Sequence, residues 1–102
     1  MIEVIYSKRY IEIKGHANYS LSGNDIVCAA VSSLVTSVIN SLKGFKKSEF
    51  DIHNDYVKID IKHKINKEDK VRLDLLIDGL KLISNKYPKY LKIKEKKLWE
   101  WN

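Results

Sequence analysis

Cysteine, proline and methionine each occur once in this chain, and glycine occurs only four times. A single thiol closes no internal disulfide, and without several histidine partners it holds no structural zinc. Lone thiols persist in reducing compartments, which points to the cytoplasm. The scarce glycines form no phosphate-cradling loop, and neither a serine nucleophile elbow nor a paired-carboxylate motif is present. No segment reaches the ~20 apolar residues that span a bilayer. The opening MIEVIYSKRYIEIKG lacks the basic-then-apolar pattern of a secretory signal. With 102 residues there is room for one domain, 1–102, with one modest core and no dedicated cofactor domain. Neither a cofactor nor a metal is expected.

What is present is strongly patterned. IEVIY (2–6) and YIEIK (10–14) alternate apolar and polar residues, and the short Ser7-Lys8-Arg9 link makes them an antiparallel hairpin. Residues 15–24, GHANYSLSGN, lose all periodicity and read as a loop. Asn24 or Asp25 then caps a helix running to about Leu42, where Lys43 and Gly44 supply a stop. That helix carries no charge from Ile26 to Leu42, and its aliphatic residues cover more than one face. It therefore needs cover on two sides, a sheet on one and a helix or a second subunit on the other. Alternation resumes in SEFDI (48–52) and YVKIDIKHK (56–64), a second hairpin around His53-Asn54-Asp55. Asn66 and Asp69 resemble a capping box opening a helix over about 67–86, which Pro88 ends. A last strand is expected near 91–96. The order ββαββαβ predicts an α+β two-layer sandwich, a mostly antiparallel sheet with two helices on one face.

Cys28 is the most informative residue. It falls in the first turn of the uncharged helix, where unpaired amides and the macrodipole stabilise a thiolate. Its other reading is a small buried apolar residue between Val27 and Ala29. His16 lies 12 residues upstream, in the loop that feeds the helix. A loop of that length can return an imidazole to the helix start, giving a Cys–His pair with helix-start amides available to an oxyanion. A loop histidine bonded to the backbone is the alternative.

The run Gly15-His16-Ala17, then Gly23, then Asp25-Ile26-Val27-Cys28-Ala29-Ala30-Val31-Ser32 resembles the signature of the ribosomal-processing cysteine proteases of bacteria, the Prp family. The resemblance covers residues 15–32 closely, and the remaining element order is compatible with it. It implies a small homodimeric endopeptidase that removes the N-terminal extension of a large-subunit ribosomal protein. Substrates of that family carry an aromatic pair before the cut and a small residue after it. On this pattern Cys28 is the nucleophile and His16 the proton carrier. Asp25 reads first as a helix cap and second as a partner of His16 or the thiol. Ser32, at i+4 from Cys28, shares its helix face, and Gly15 and Gly23 are loop hinges. One departure is Ala30-Val31, where Gly-Ala is common, which narrows backbone access behind the nucleophile.

Charge supplies the competing reading. Lys+Arg number 19 against 13 Asp+Glu, a net +6. Lys86, Lys89, Lys92, Lys94, Lys96 and Lys97 face only Glu95 late in the chain. With Trp99 and Trp101 they suggest a basic, non-catalytic ribosome- or RNA-binding module, a ribosomal RNA contact that can also coexist with proteolysis. The plainer reading makes the lysines the wet face of a strand and the tryptophans an edge or subunit contact. His53 and His63 lack the spacing of a metal motif.

Overall fold

The computed structural model describes residues 1–21 and 25–97. Five strands and two long helices follow the expected order: β1 (Ile2–Tyr6), β2 (Tyr10–Lys14), α1 (Ile26–Ser41), β3 (Phe50–His53), β4 (Tyr56–Asp60), α2 (Lys67–Lys86) and β5 (Leu91–Glu95). One sheet runs in the order β3-β4-β2-β1-β5. All neighbours are antiparallel except β1 and β5, which run parallel. The fold class is therefore as expected.

The register explains the layering. Val4 stands opposite Ile13 and Ile93, Ile11 opposite Ile59, and Ile2 opposite Leu91, so the apolar alternation of each strand falls on one face. That face meets Val27, Val31, Val35 and Val38 of α1 and Leu73, Leu76 and Leu80 of α2 in a single core. Leu76 and Leu80 are wholly buried, and truncating either to alanine costs about 2–5 kcal/mol. The opposite face carries Glu3, Glu12, Lys14, Lys58, Lys92 and Lys94. Lys92 and Lys94 stand exposed on the edge strand β5, as the plainer reading of the basic stretch expects, and lysines there discourage edge-to-edge pairing. No helix among the described residues is long and apolar enough to cross a membrane.

Several local expectations need adjustment. The second hairpin is shorter than its alternation suggested. Residues 47–49 form a 3-10 turn before β3, and β4 stops at Asp60 rather than running on to residue 64. His53 closes a strand instead of lying in the turn. The Asn66 side chain caps α2 through the Asp69 amide at 2.8 Å, but the Asp69 carboxylate does not reach back to complete a box. It accepts instead from the Asn66 side-chain Nδ2 at 3.1 Å and from the Lys43 and Gly44 amides at 3.0 and 2.8 Å, fastening the end of α1 to the start of α2. Helix α1 gains its second cover only in part. Its valine stripe is buried and it packs on α2, while Ala29, Ala30, Ser33 and Ser37 remain exposed.

Candidate active site

Rich in β-branched residues, α1 is a poor helix former by propensity, so its N-terminus depends on capping and packing. Asp25 provides the cap. Its Oδ1 accepts from the Val27 amide at 3.0 Å and the Cys28 amide at 2.9 Å, while Oδ2 accepts from the Tyr19 amide at 3.0 Å. Partial burial pushes the Asp25 pKa up, but hydrogen bonds from the Cys28, Tyr19 and Ser20 amides and the Cys28 side chain outweigh it. The carboxyl ends below its ordinary value. The helix-start amides of Val27 and Cys28 are therefore already occupied, which removes them as ready donors for an oxyanion. The Ala29 amide is committed as well, to the Asp25 carbonyl at 3.0 Å.

The loop from residue 15 is pinned at several points. Gly15 adopts φ +98°, and a Cβ there would lie 2.5 Å from the Met1 carbonyl oxygen, so only glycine fits. Its amide donates to the Asp55 carbonyl at 2.9 Å, joining the end of β2 to the β3–β4 turn. Ala17 is buried in the core, and its amide donates to the Cys28 sulfur at 3.3 Å. Tyr19 ties the loop to Asp25 through its backbone and packs its ring edge-on against Tyr87 and Tyr90.

These tethers frame a cavity of about 780 Å³ between the N-terminal half of α1 and the sheet end formed by β2 and the β3–β4 hairpin. Cys28, Ser32 and Val35 line it from the helix, His16 and Gly15 from the loop, and Ile52, Asp55 and Val57 from the hairpin. Cys28 is half-buried, its flank packed on the core and its position on the cavity wall. His16 is exposed, and its Nε2 lies 2.7 Å from Asp55 Oδ2. A thiol and an imidazole opening onto one cavity are two of the groups that nucleophilic attack on a carbonyl uses.

Five of the six residues singled out from sequence, Gly15, His16, Asp25, Cys28 and Ser32, border this one cavity. Gly23 lies outside the described residues, as do Trp99 and Trp101. Asp25 serves as the cap, with both oxygens engaged as above. His53 pairs with Asp51 at 2.7 Å and His63 with Glu49 at 2.8 Å, two separate carboxylates. Sequence reasoning missed Asp55 and gave Ala17 no role. Asp55 sits in a two-residue hairpin turn with φ +63°, a conformation aspartate tolerates better than most residues. Nothing in its own neighbourhood of sequence marks it as a partner for residue 16; only the pairing of β2 with β4 does.

Comparison with known proteins bears on the same residues. The family model described as "Cysteine protease Prp" matches residues 1–92. The ribosomal processing cysteine protease Prp of Bacillus subtilis is 34% identical over 74 residues, covering 68% of this chain and 65% of that protein, just under two thirds of its length. Its namesake from Mycoplasma genitalium is 28% identical over 98 residues, covering 93% of this chain and 96% of that protein. Among solved structures, the essential ribosomal processing protease Prp from S. aureus, in complex with a covalently linked product peptide, shares the fold. Its TM-score is 0.82 at 24% identity, with 94% of this chain and 100% of that chain covered. A family match over nine tenths of the sequence, on a chain whose Cys28 and His16 share one cavity, settles the relationship: this chain belongs to the Prp family of cysteine proteases.

Proposed function

We propose that the protein is a cytoplasmic endopeptidase that removes the N-terminal extension of a large-subunit ribosomal protein, with Cys28 as nucleophile and His16 as proton carrier. The observation that carries this reading is the opening of both residues onto one 780 Å³ cavity, with the Ala17 amide on the sulfur. The names of the relatives, which process ribosomal protein, support the substrate class. Ile2, Ile13, Val31, Val35 and Val57 give the cavity an apolar floor suited to bulky apolar side chains beside the cut.

In the proposed reaction His16 takes the Cys28 proton and the sulfur attacks the scissile carbonyl carbon. The tetrahedral adduct collapses as the imidazolium returns that proton to the leaving amine, leaving a thioester. Water, deprotonated by His16, then attacks the thioester, and the acid product leaves with the thiol restored. Asp25 holds the helix start that carries the sulfur, and Ser32 borders the bound chain one turn below the sulfur.

The test is cleavage of a peptide spanning the ribosomal-protein extension by wild type, Cys28→Ala and His16→Ala. Cleavage is expected from wild type alone. Undiminished cleavage by Cys28→Ala overturns the assignment.

The exposed uncharged face of α1, with Ala29, Ala30, Ser33 and Ser37, supports a homodimer, and sedimentation at micromolar concentration tests it; a monomer there refutes it. The exposed lysines of β5 support a ribosomal RNA contact as a second activity of the surface. Its affinity must fall steeply with salt if phosphates are the partners.

A further inference from the structure

We propose that Asp55 is the positioning residue for His16: it holds the imidazole by Nε2 and leaves Nδ1 to exchange the proton of Cys28. The inference rests on the reading of His16 as the proton carrier.

The contact is a 2.7 Å pairing of His16 Nε2 with Asp55 Oδ2. A carboxylate only accepts, so Nε2 must carry the hydrogen, and in the neutral ring that makes Nδ1 the lone-pair nitrogen. The tautomer is thus fixed by Asp55 in the form a base needs. The same residue also accepts the Gly15 amide at 2.9 Å through its backbone carbonyl. Asp55 therefore grips residue 15 by its main chain and residue 16 by its side chain, a two-point attachment that sets where the ring leaves the loop.

Among the described residues, no other carboxylate bordering the cavity takes this part. Asp25 spends Oδ1 on two amides and Oδ2 on a third. The neighbouring histidine, His53, is paired with Asp51 and does not compete for Asp55. The hairpin turn itself suits the task, because aspartate at φ +63° keeps its short side chain beside the end of β2.

His16 and Asp55 are 61% and 46% exposed, so water screens their attraction in the free protein. The bond accordingly acts through geometry rather than through energy. A peptide seated in the cavity covers the pair, and exclusion of water strengthens it at the moment the proton moves. The logic parallels the Cys-His-Asn arrangement of proteases with unrelated folds, in which a third group orients the ring.

The experiment measures kcat and KM for the extension peptide with Asp55→Gly, Asp55→Asn and His16→Ala. Glycine removes the side chain while tolerating the positive φ, so the turn survives. Asparagine keeps an oxygen that can accept from Nε2. Asp55→Gly is expected to lower kcat by roughly 10- to 100-fold with KM little changed, the usual penalty for a misplaced catalytic group. Asp55→Asn is expected to recover most of that loss. Wild-type kcat in Asp55→Gly, with His16→Ala inactive, overturns the positioning role and leaves the protease reading intact. Equal losses in Asp55→Asn and Asp55→Gly also overturn it. Full activity in His16→Ala removes His16 as the proton carrier, and this role with it, while the protease reading stands or falls with Cys28→Ala.

Discussion

Replacing Asp25 by alanine perturbs stability and site together, and its magnitude follows chiefly from three of its hydrogen bonds, those from the Val27, Cys28 and Tyr19 amides. Oδ1 caps α1 through the Val27 and Cys28 amides. Losing such a cap costs about 1 kcal/mol, within a range of about 0.5–2. Oδ2 holds the Tyr19 amide at 3.0 Å on the exposed side, a bond worth about 1 kcal/mol at most after solvent competes for it. Together the loss is about 2 kcal/mol, which for a domain of about 100 residues lowers Tm by roughly 8–16 °C. Asp25→Asn separates the two parts. Its amide oxygen still caps the helix, but its NH₂ cannot accept from Tyr19, so it should lose about half as much. Urea unfolding at pH 7 reads the difference as a shift in midpoint with an unchanged slope. The sign with pH also follows. The folded Asp25 carboxyl lies below its ordinary value, so its contribution is present above about pH 4 and disappears as pH falls through the lower folded value. Wild type should therefore lose stability on acidification more steeply than Asp25→Asn. An alanine variant within about 0.5 kcal/mol of wild type, or an asparagine variant as unstable as alanine, would refute the account of the cap.

Three further outcomes are expected. Gly15→Ala meets both a left-handed φ and the Met1 carbonyl at 2.5 Å, so it should cost about 1–3 kcal/mol and lower peptide cleavage; an unchanged Tm would contradict this. Asp69→Ala removes the buried carboxylate that accepts the Lys43 and Gly44 amides and pairs with Arg72, which should cost about 2 kcal/mol or more, measured by urea unfolding with the slope held common. The hydrogen bond to Glu12 at 2.8 Å pushes Tyr56 up to about 12. Absorbance titration should show one tyrosine ionising there, with stability full below about pH 10 and falling as pH rises toward 12. Tyr56→Phe should abolish that late step.

The legible parts of the molecule were those governed by neighbours in sequence. Alternation over residues 2–6 and 10–14 gave the first hairpin because each strand buries one face. Asp25 and Asn66 gave two helix starts because capping is a local reaction between a side chain and amides two or three residues on. Cys28 and His16 were legible for a similar reason: one loop joins them. What escaped notice depended on pairing across the sheet. Asp55 meets His16 only because Lys14 lies opposite Tyr56 in the β2–β4 register, 42 residues apart. The Asp69 carboxylate bonds Asn66 and Arg72 of its own helix, but its amide partners at Lys43 and Gly44 come from the end of the other helix and escape a local reading for the same reason. The alternation of residues 61–64 overstated β4 because the pattern of a solvated turn and that of a half-buried strand coincide over so few residues.

One contact couples two parts of the chemistry. The donor to the sulfur is the amide of residue 17, and the imidazole belongs to residue 16, so a single peptide link carries both. A swing of that segment cannot withdraw the base while leaving the sulfur solvated by its donor, nor the reverse. On the proposed reading, the nucleophile is thereby armed or disarmed in a single step. With the Ala17 methyl sunk in the core as the pivot, substrate entry, oxidative damage to the thiol and covalent inhibition would all answer to the same small rotation.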